Sequence, residues 1–397
     1  MEHVLRLHDI VKTDMVRADG CLVYDERGRA YIDFEAGVWC ANLGHGHPRI
    51  LKVIRTQSQQ LLHVGYRYTT QRAEEAASTV LETLGRRDGK CVFLSSGSEA
   101  VELALTIARW ATGRHHGLSL SGAYLSAYGS AGVRTAEDWC TFDWEACEDC
   151  PRRERCDPSC DRLRTIPFDS IAGFVFESGN MHGTVRFPPS GMVRQIADQL
   201  RRAGGLVVAN EITTGMGRTG TWFGFEHYGL APEIVALGKG LGNGYPVSAV
   251  AMSADAAKRV ESTGVRYVQS HQNDPLACAV AREVIAVIRS ESLVERSRRV
   301  GESFLDRLRR LASETAGVCE ARGRGLMIVL EFCPDCLSAA SVYARLLREG
   351  FLVGLKEDAN LIRFYPPLTI EEESIDRLLA VLEAIFAEIA WQKEEEA

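Results

Sequence analysis

"EIVALGKGLGNGYPVSAVAMS", residues 233–253, decides the fold. Two apolar runs, 234–237 and 247–252, flank a loop that holds Gly238, Gly240, Gly242, Gly244 and a single lysine, Lys239. Short apolar runs bounded by glycine read as buried strands. A lysine just past a buried strand is largely desolvated, which lowers its pKa and makes its amine nucleophilic toward an aldehyde. The glycines let backbone approach a planar ligand. A surface lysine in a flexible loop has the same local sequence, so the surrounding chain has to decide.

Immediately upstream, "LVVANEITTGMGRTG" (206–220) is another apolar run, stopped at Asn210-Glu211 and followed by a glycine-punctuated loop. Polar residues at the carboxyl ends of buried strands are where open α/β sheets place ligands. "IAGFVFE" (171–177) reads as a further buried strand, followed by a helix over 192–203 that Gly204-Gly205 stops. "KCVFLSS" (90–96) is a strand that runs into a helix with Ala100, Leu103, Ala104, Ile107, Ala108 and Ala111 on one face. Ser96, Gly97 and Ser98 stand at that helix's N-terminus, where free N–H groups and the dipole favour an anion. N-capping by Ser96 or Ser98 explains the same residues equally well. There is no Walker pattern, so a nucleoside triphosphate is not implied.

Strand, helix, strand with apolar strands predicts a mostly parallel sheet covered on both faces. Both ends of the chain differ from this middle. "CLVYDERGRAYIDF" (21–34) is a hairpin with a turn at Asp25–Gly28. After residue 273 come long helices mixed with "RGLMIVLEF", "FLVGLKE" and "NLIRFYPP". The expected fold is α/β. A large αβα domain spans 46–285, with a cysteine-rich insertion at 140–162. A smaller α+β domain is built from both termini, 1–45 and 286–397.

Composition narrows the function classes. A net charge of −7 argues against non-specific nucleic-acid binding. No run of eighteen apolar residues exists, so no membrane span is expected. "MEHVLRLHDIVK" has no apolar core of signal-peptide length, and a cytoplasmic enzyme is expected. Its twelve cysteines should then be mostly thiols or metal ligands, Cys333 and Cys336 of "CPDC" among the free thiols. The tail "WQKEEEA" reads as a fraying helix end.

"GVWCANLGHGHP", "FLSSGSEAVELAL", "FVFESG", "NEITTGMGRTG", "ALGKGLGNGYP", "NDPLA", "RGRGLMIVLEF" and "IRFYPPLTI" resemble, in order and spacing, the motifs of class III aminotransferases. These are pyridoxal 5′-phosphate (PLP) enzymes of fold type I, and the likeness covers roughly residues 10 to 390. It implies that Lys239 forms the Schiff base with the cofactor and shuttles the Cα proton. Gly97 and Ser98 then match the phosphate cradle, and Ser270 the hydroxyl residue that reaches the phosphate of the second subunit, implying a homodimer with shared sites. Arg363 matches the arginine that grips a substrate carboxylate, a task its planar fork suits. Glu177 matches the glutamate of the family's "EP" strand end, with Ser178 in place of the proline. Arg218 reads as structural. Trp39 and Tyr66 fall in segments that line the substrate mouth of relatives, and His45 and His47 in a structural turn rather than a metal pair.

Four departures surround the cofactor position. Asn210 replaces the aspartate that keeps the pyridine nitrogen protonated, so the ring proton loses an opposite-charge partner. Thr213 stands where a glutamine contacts the ring hydroxyl. Leu120-Ser121-Gly122 aligns with the aromatic-His-Gly stretch, putting Ser121 beside the cofactor and leaving Tyr124 as the nearest stand-in aromatic. Met181-His182 occupies the region of the glutamate that gates the carboxylate arginine. Three readings follow: amino-group transfer from an amino acid or ω-amine to a keto acid; other Cα chemistry such as racemisation or β/γ-elimination and replacement; and a PLP-fold protein that binds without turnover.

"CEDCPRRERCDPSC" (147–160) spaces Cys147, Cys150, Cys156 and Cys160 as C-x2-C-x5-C-x3-C. Four closely spaced thiolates predict tetrahedral structural zinc, with an iron–sulfur cluster as alternative and unliganded thiols as the bland reading. His115-His116 read as a solvated helix end.

Overall fold

The structure is a computed structural model that describes residues 3–396 apart from 6, 9, 180 and 335. Among the described residues fifteen strands form three sheets. The central sheet has seven: β4 (Lys90–Leu94), β5 (His116–Leu120), β6 (Trp139–Phe142), β7 (Ile171–Glu177), β8 (Leu206–Asn210), β9 (Ile234–Leu237) and β10 (Ser248–Met252). Their order across the sheet is β4-β10-β9-β8-β7-β5-β6. All neighbours are parallel except at β10, which runs antiparallel to both β4 and β9. Burial follows from this: β7, β8, β9 and β10 are buried along their whole length, which is why they read as continuous apolar runs rather than alternating ones.

The helix Gly97–Thr112 follows β4. Ser96 caps it reciprocally with Glu99, and Gly113 closes it at φ 68. The helix Ser190–Arg202 follows β7 and buries Met192, Val193, Ile196, Ala197 and Leu200. Among the described residues no helix is long and apolar enough to cross a membrane.

The chain ends meet in two smaller sheets. β1 (Met15–Asp19), β2 (Leu22–Asp25) and β3 (Ala30–Asp33) form a meander that β13 (Phe351–Leu352) joins in parallel, pairing Phe351 with Ile32. β11 (Val318–Arg324), β12 (Met327–Phe332), β15 (Leu361–Phe364) and β14 (Gly354–Lys356) form an antiparallel sheet in that order. A helix, Leu293–Glu314, packs on β11, and the last helix runs from Glu372 to Glu396. The tail read as fraying therefore stays helical to 396, and its final residue lies outside the described ones.

Two expectations are corrected here. Cys333 is not a thiol: it forms a disulfide with Cys319, because the β11–β12 hairpin sets the two Cα atoms 5.0 Å apart. His116 does not lie on a helix end but opens β5, since Gly113 has already terminated the helix; His115 pairs with Asp138 at 2.5 Å.

Candidate functional site

The carboxyl ends of β8 and β9 and the N-terminus of Gly97–Thr112 open into one cavity of about 470 Å³. Lys239, Asn210, Thr213, Gly97, Ser98, Arg363 and Trp39 all line it, although they are scattered over more than 300 residues of sequence. Val38, Ile212, Tyr124, Leu125, His182 and Lys356 complete most of the wall.

Lys239 is separated from β9 by Gly238 alone and opens a short 3-10 turn at φ 42, a conformation a lysine adopts only when its surroundings impose it. Its Nζ donates to Thr213 Oγ1 at 2.8 Å and sits 4.4 Å from the centre of the Trp39 ring. Burial pushes its pKa down to about 8, aided by Arg363 and opposed by Cys40 and Glu177. Close packing explains two glycines. A Cβ on Gly97 would fall 2.8 Å from Ile212 Cγ2, and one on Gly240 would fall 2.4 Å from Asn42 Nδ2. The Ser98 hydroxyl accepts the Ala127 N–H at 2.9 Å, so part of its capacity is already used.

Asn210 has both ends of its amide engaged within the protein. Nδ2 donates to the Tyr124 carbonyl at 3.3 Å, and Oδ1 accepts the Ile212 N–H at 3.2 Å. Glu177 lies directly opposite it across the β7–β8 pair and accepts the Tyr124 N–H at 3.0 Å. Glu177 is buried, is not among the residues that line the cavity, and supports the Tyr124 backbone. The neighbouring Glu211 is fully buried, accepting from the Gly224 and Phe225 N–H groups and the Thr214 and Ser178 hydroxyls. Burial raises its pKa to about 7. Ser178, in the place of a proline, is thus a hydrogen-bond donor that anchors the 211–225 loop.

The substrate side is built differently. Residues 36–39 form a left-handed turn, with φ of 47, 55, 57 and 68 at Ala36, Gly37, Val38 and Trp39. For three non-glycine residues that costs roughly 1–2 kcal/mol each. The turn delivers Trp39, whose ring packs on Tyr365 at 4.9 Å and lies 5.1 Å from the Arg363 guanidinium. Arg363 donates from Nη2 to Glu35 Oε1 at 3.2 Å. Glu35 has its pKa raised by burial and pulled back by Arg363. Tyr124 stacks on His182 with ring centres 5.5 Å apart and planes at 14°. Burial and the nearby Lys356 lower the His182 pKa.

Three predicted residues lie elsewhere in this chain. Ser121 is turned toward β6, with its hydroxyl on Asp143 and its carbonyl taken by Trp144 Nε1; the wall is formed three residues on, by Tyr124 and Leu125. Ser270 and Tyr66 are exposed and outside the cavity. The cysteine loop lies outside this cavity, and Cys150, Cys156 and Cys160 line a pocket of their own. Among the described residues the one group with ligand atoms all within 4.8 Å is His63, His271 and Asp274, and the four sulfurs do not form such a set. Cys147 is buried, and Cys156 and Cys160 pack against the main apolar core.

Sequence reading missed Lys356 and Glu35. The one signal for Lys356 was its place in a strand that pairs with the strand of Arg363.

The fold and the lysine-centred cavity define a transferase of the aminotransferase class. The family pattern described as Aminotransferase class-III matches residues 6–127 and 143–386, and the chain belongs to that family, whose members transfer amino groups. It is 32% identical over 383 residues to the acetylornithine aminotransferase of Methanosarcina acetivorans, covering 92% of this chain and 90% of that one. It is 30% identical to the [LysW]-aminoadipate semialdehyde transaminase of Deinococcus radiodurans, covering 99% and 90%. Among solved structures, a Bacillus anthracis aminotransferase superposes with a TM-score of 0.89 at 25% identity, covering 97% and 96%. An amine transaminase from an uncultivated Pseudomonas species in the PLP-bound form gives 0.86 at 25%, covering 98% and 99%.

Proposed function

We propose that this chain moves an amino group from an amino acid or ω-amine bearing a carboxylate to a keto acid, with PLP as its cofactor. The observation that carries the reading is Lys239: a desolvated amine with a pKa near 8, strained, and held by Thr213 in the cavity. The residues suit the cofactor. Gly97 keeps the helix N-terminus bare, and the N–H groups of Gly97 and Ser98 would hold a phosphate. Lys239 would hold the aldehyde carbon, and Asn210 and Thr213 would meet the ring. When bound, the cofactor supplies an electron sink for charge left at the donor's Cα.

The protein's own groups do the rest. The Lys239 amine would take the donor's Cα proton and deliver it away from Cα, as net transfer rather than racemisation requires, and Thr213 Oγ1 orients that amine. Trp39 covers Lys239 and excludes water. Arg363 takes the donor's carboxylate through its planar fork. Relatives named for acetylornithine, [LysW]-aminoadipate semialdehyde and 5-aminovalerate support a donor that carries an acid group apart from its reacting amine.

The working unit of the proposal is a homodimer in the cytoplasm. Leu61, Leu62, Tyr66 and Tyr68 and the segment Val265, Tyr267 and Val268 are large apolar residues exposed in the single chain, and Ser270 follows directly on that segment. Ten of the twelve cysteines stand outside the disulfide, which favours a reducing compartment. A second reading, other Cα chemistry, is favoured by Asn210 alone. Borohydride treatment followed by peptide mapping tests Lys239, and recovery of the aminated cofactor after adding a donor separates transfer from racemisation. An unlabelled Lys239 ends the proposal.

A further inference from the structure

β14 and β15 are antiparallel, with Gly354 opposite Arg363 and Lys356 opposite Leu361. Side chains two apart on a strand share a face, so Lys356 and Arg363 project from the same face as diagonal neighbours, with Cα atoms about 7–8 Å apart. Gly354 keeps that face open. A Cβ there would lie 2.5 Å from Glu35 Oε1 and 2.6 Å from Arg363 Nε. Both cations line the cavity that holds Lys239, and their side chains are only 14% and 15% exposed.

Each cation has an internal carboxylate, and the two differ. Glu35 is itself largely buried beside Arg363. Asp358 meets Lys356 Nζ with both oxygens at 2.6 Å but is 73% exposed, at the rim. An ion pair with one solvent-held partner is weak and cheaply exchanged. The remaining group on this wall, His182, has its charged form disfavoured by burial and by Lys356. The pocket thus offers two cations on one face, one of them with a counter-ion that water can take over.

We propose that Lys356 is a specificity-determining residue that receives a second carboxylate, so that the substrate is a dicarboxylate spanning Arg363 and Lys356. This deepens the aminotransferase reading and rests on it. A carboxylate rather than a phosphate fits because a single ammonium beside Asp358 leaves a phosphate dianion half-neutralised.

The test is binding without turnover. The cofactor-loaded protein is titrated calorimetrically with glutarate and with pentanoate, which share a chain length and differ in the second acid. The expected result is glutarate binding about tenfold tighter, with that ratio falling close to one in Lys356→Gln and kept in Lys356→Arg. Equal affinities in the parent protein, or the same ratio in Lys356→Gln, overturn the proposal. If the ratio behaves as expected but no amino group moves, the reaction assignment fails and the dicarboxylate site stands. If transfer occurs with no Lys356 dependence, the reverse holds.

Discussion

The two ends of the cavity are made by opposite means. The lysine end is assembled from strand termini of one sheet, β8 and β9, and one helix N-terminus. It holds one cation, Lys239, and its neighbours Asn210 and Thr213 are neutral. The arginine end is assembled from the left-handed turn at 36–39 and the β14–β15 hairpin, more than 300 residues apart, and is dense with charge: Glu35, Arg363, Lys356 and Asp358. Chemistry that needs a neutral amine is separated from recognition that needs paired ions. Trp39, within reach of both Lys239 and Arg363, is the partition.

That contrast can be broken in steps of decreasing size. Lys239→Ala removes the nucleophile, and amino transfer should fall by 10³-fold or more, on the order of other nucleophile deletions, with borohydride labelling lost. Residual transfer near the parent rate would place the chemistry elsewhere. Arg363→Gln should lower kcat/KM for carboxylate-bearing donors by roughly 10²-fold, the size of a lost charge-assisted bidentate contact, while simple amines lose far less. Equal losses for both donor classes would show that the two ends are not independent.

Asn210→Asp restores an opposite charge beneath the cofactor. The single-turnover rate of transfer should rise by on the order of tenfold or more if the amide holds back the electron sink. No change, or a fall, would mean that the amide serves other Cα chemistry. The smallest effect concerns pH. With a pKa of about 8, the free amine of Lys239 is the minor form at pH 7 and the major form at pH 9. Cofactor capture by cofactor-free protein should therefore rise roughly tenfold between those values and level off above. A rate still climbing past pH 10 would return Lys239 to the range of an ordinary surface lysine.

Most of the lysine end was legible before folding. Gly97, Ser98, Asn210, Thr213 and Lys239 sit in short motifs in which strand, loop and glycine are adjacent in sequence, and all line the cavity. Ser121 does not line the cavity because the stretch after β5 turns toward β6, and Tyr124, three residues on, reaches the wall. The cysteine loop has metal spacing, and the structure packs Cys156 and Cys160 on the core beside a pocket that Cys150 shares. Cys333 looked like half of a "CPDC" pair, and the hairpin gave it Cys319.

By itself the sequence determined the sheet, the family resemblance and the lysine, because apolar runs and glycine-bounded turns act over a few residues where steric and burial preferences are local. Only the tertiary structure decided which charges meet. Glu35 reaches Arg363 across 328 positions, and Lys356 shares its face through strand register. Such pairings depend on through-space geometry fixed by packing, which no spacing along the chain encodes.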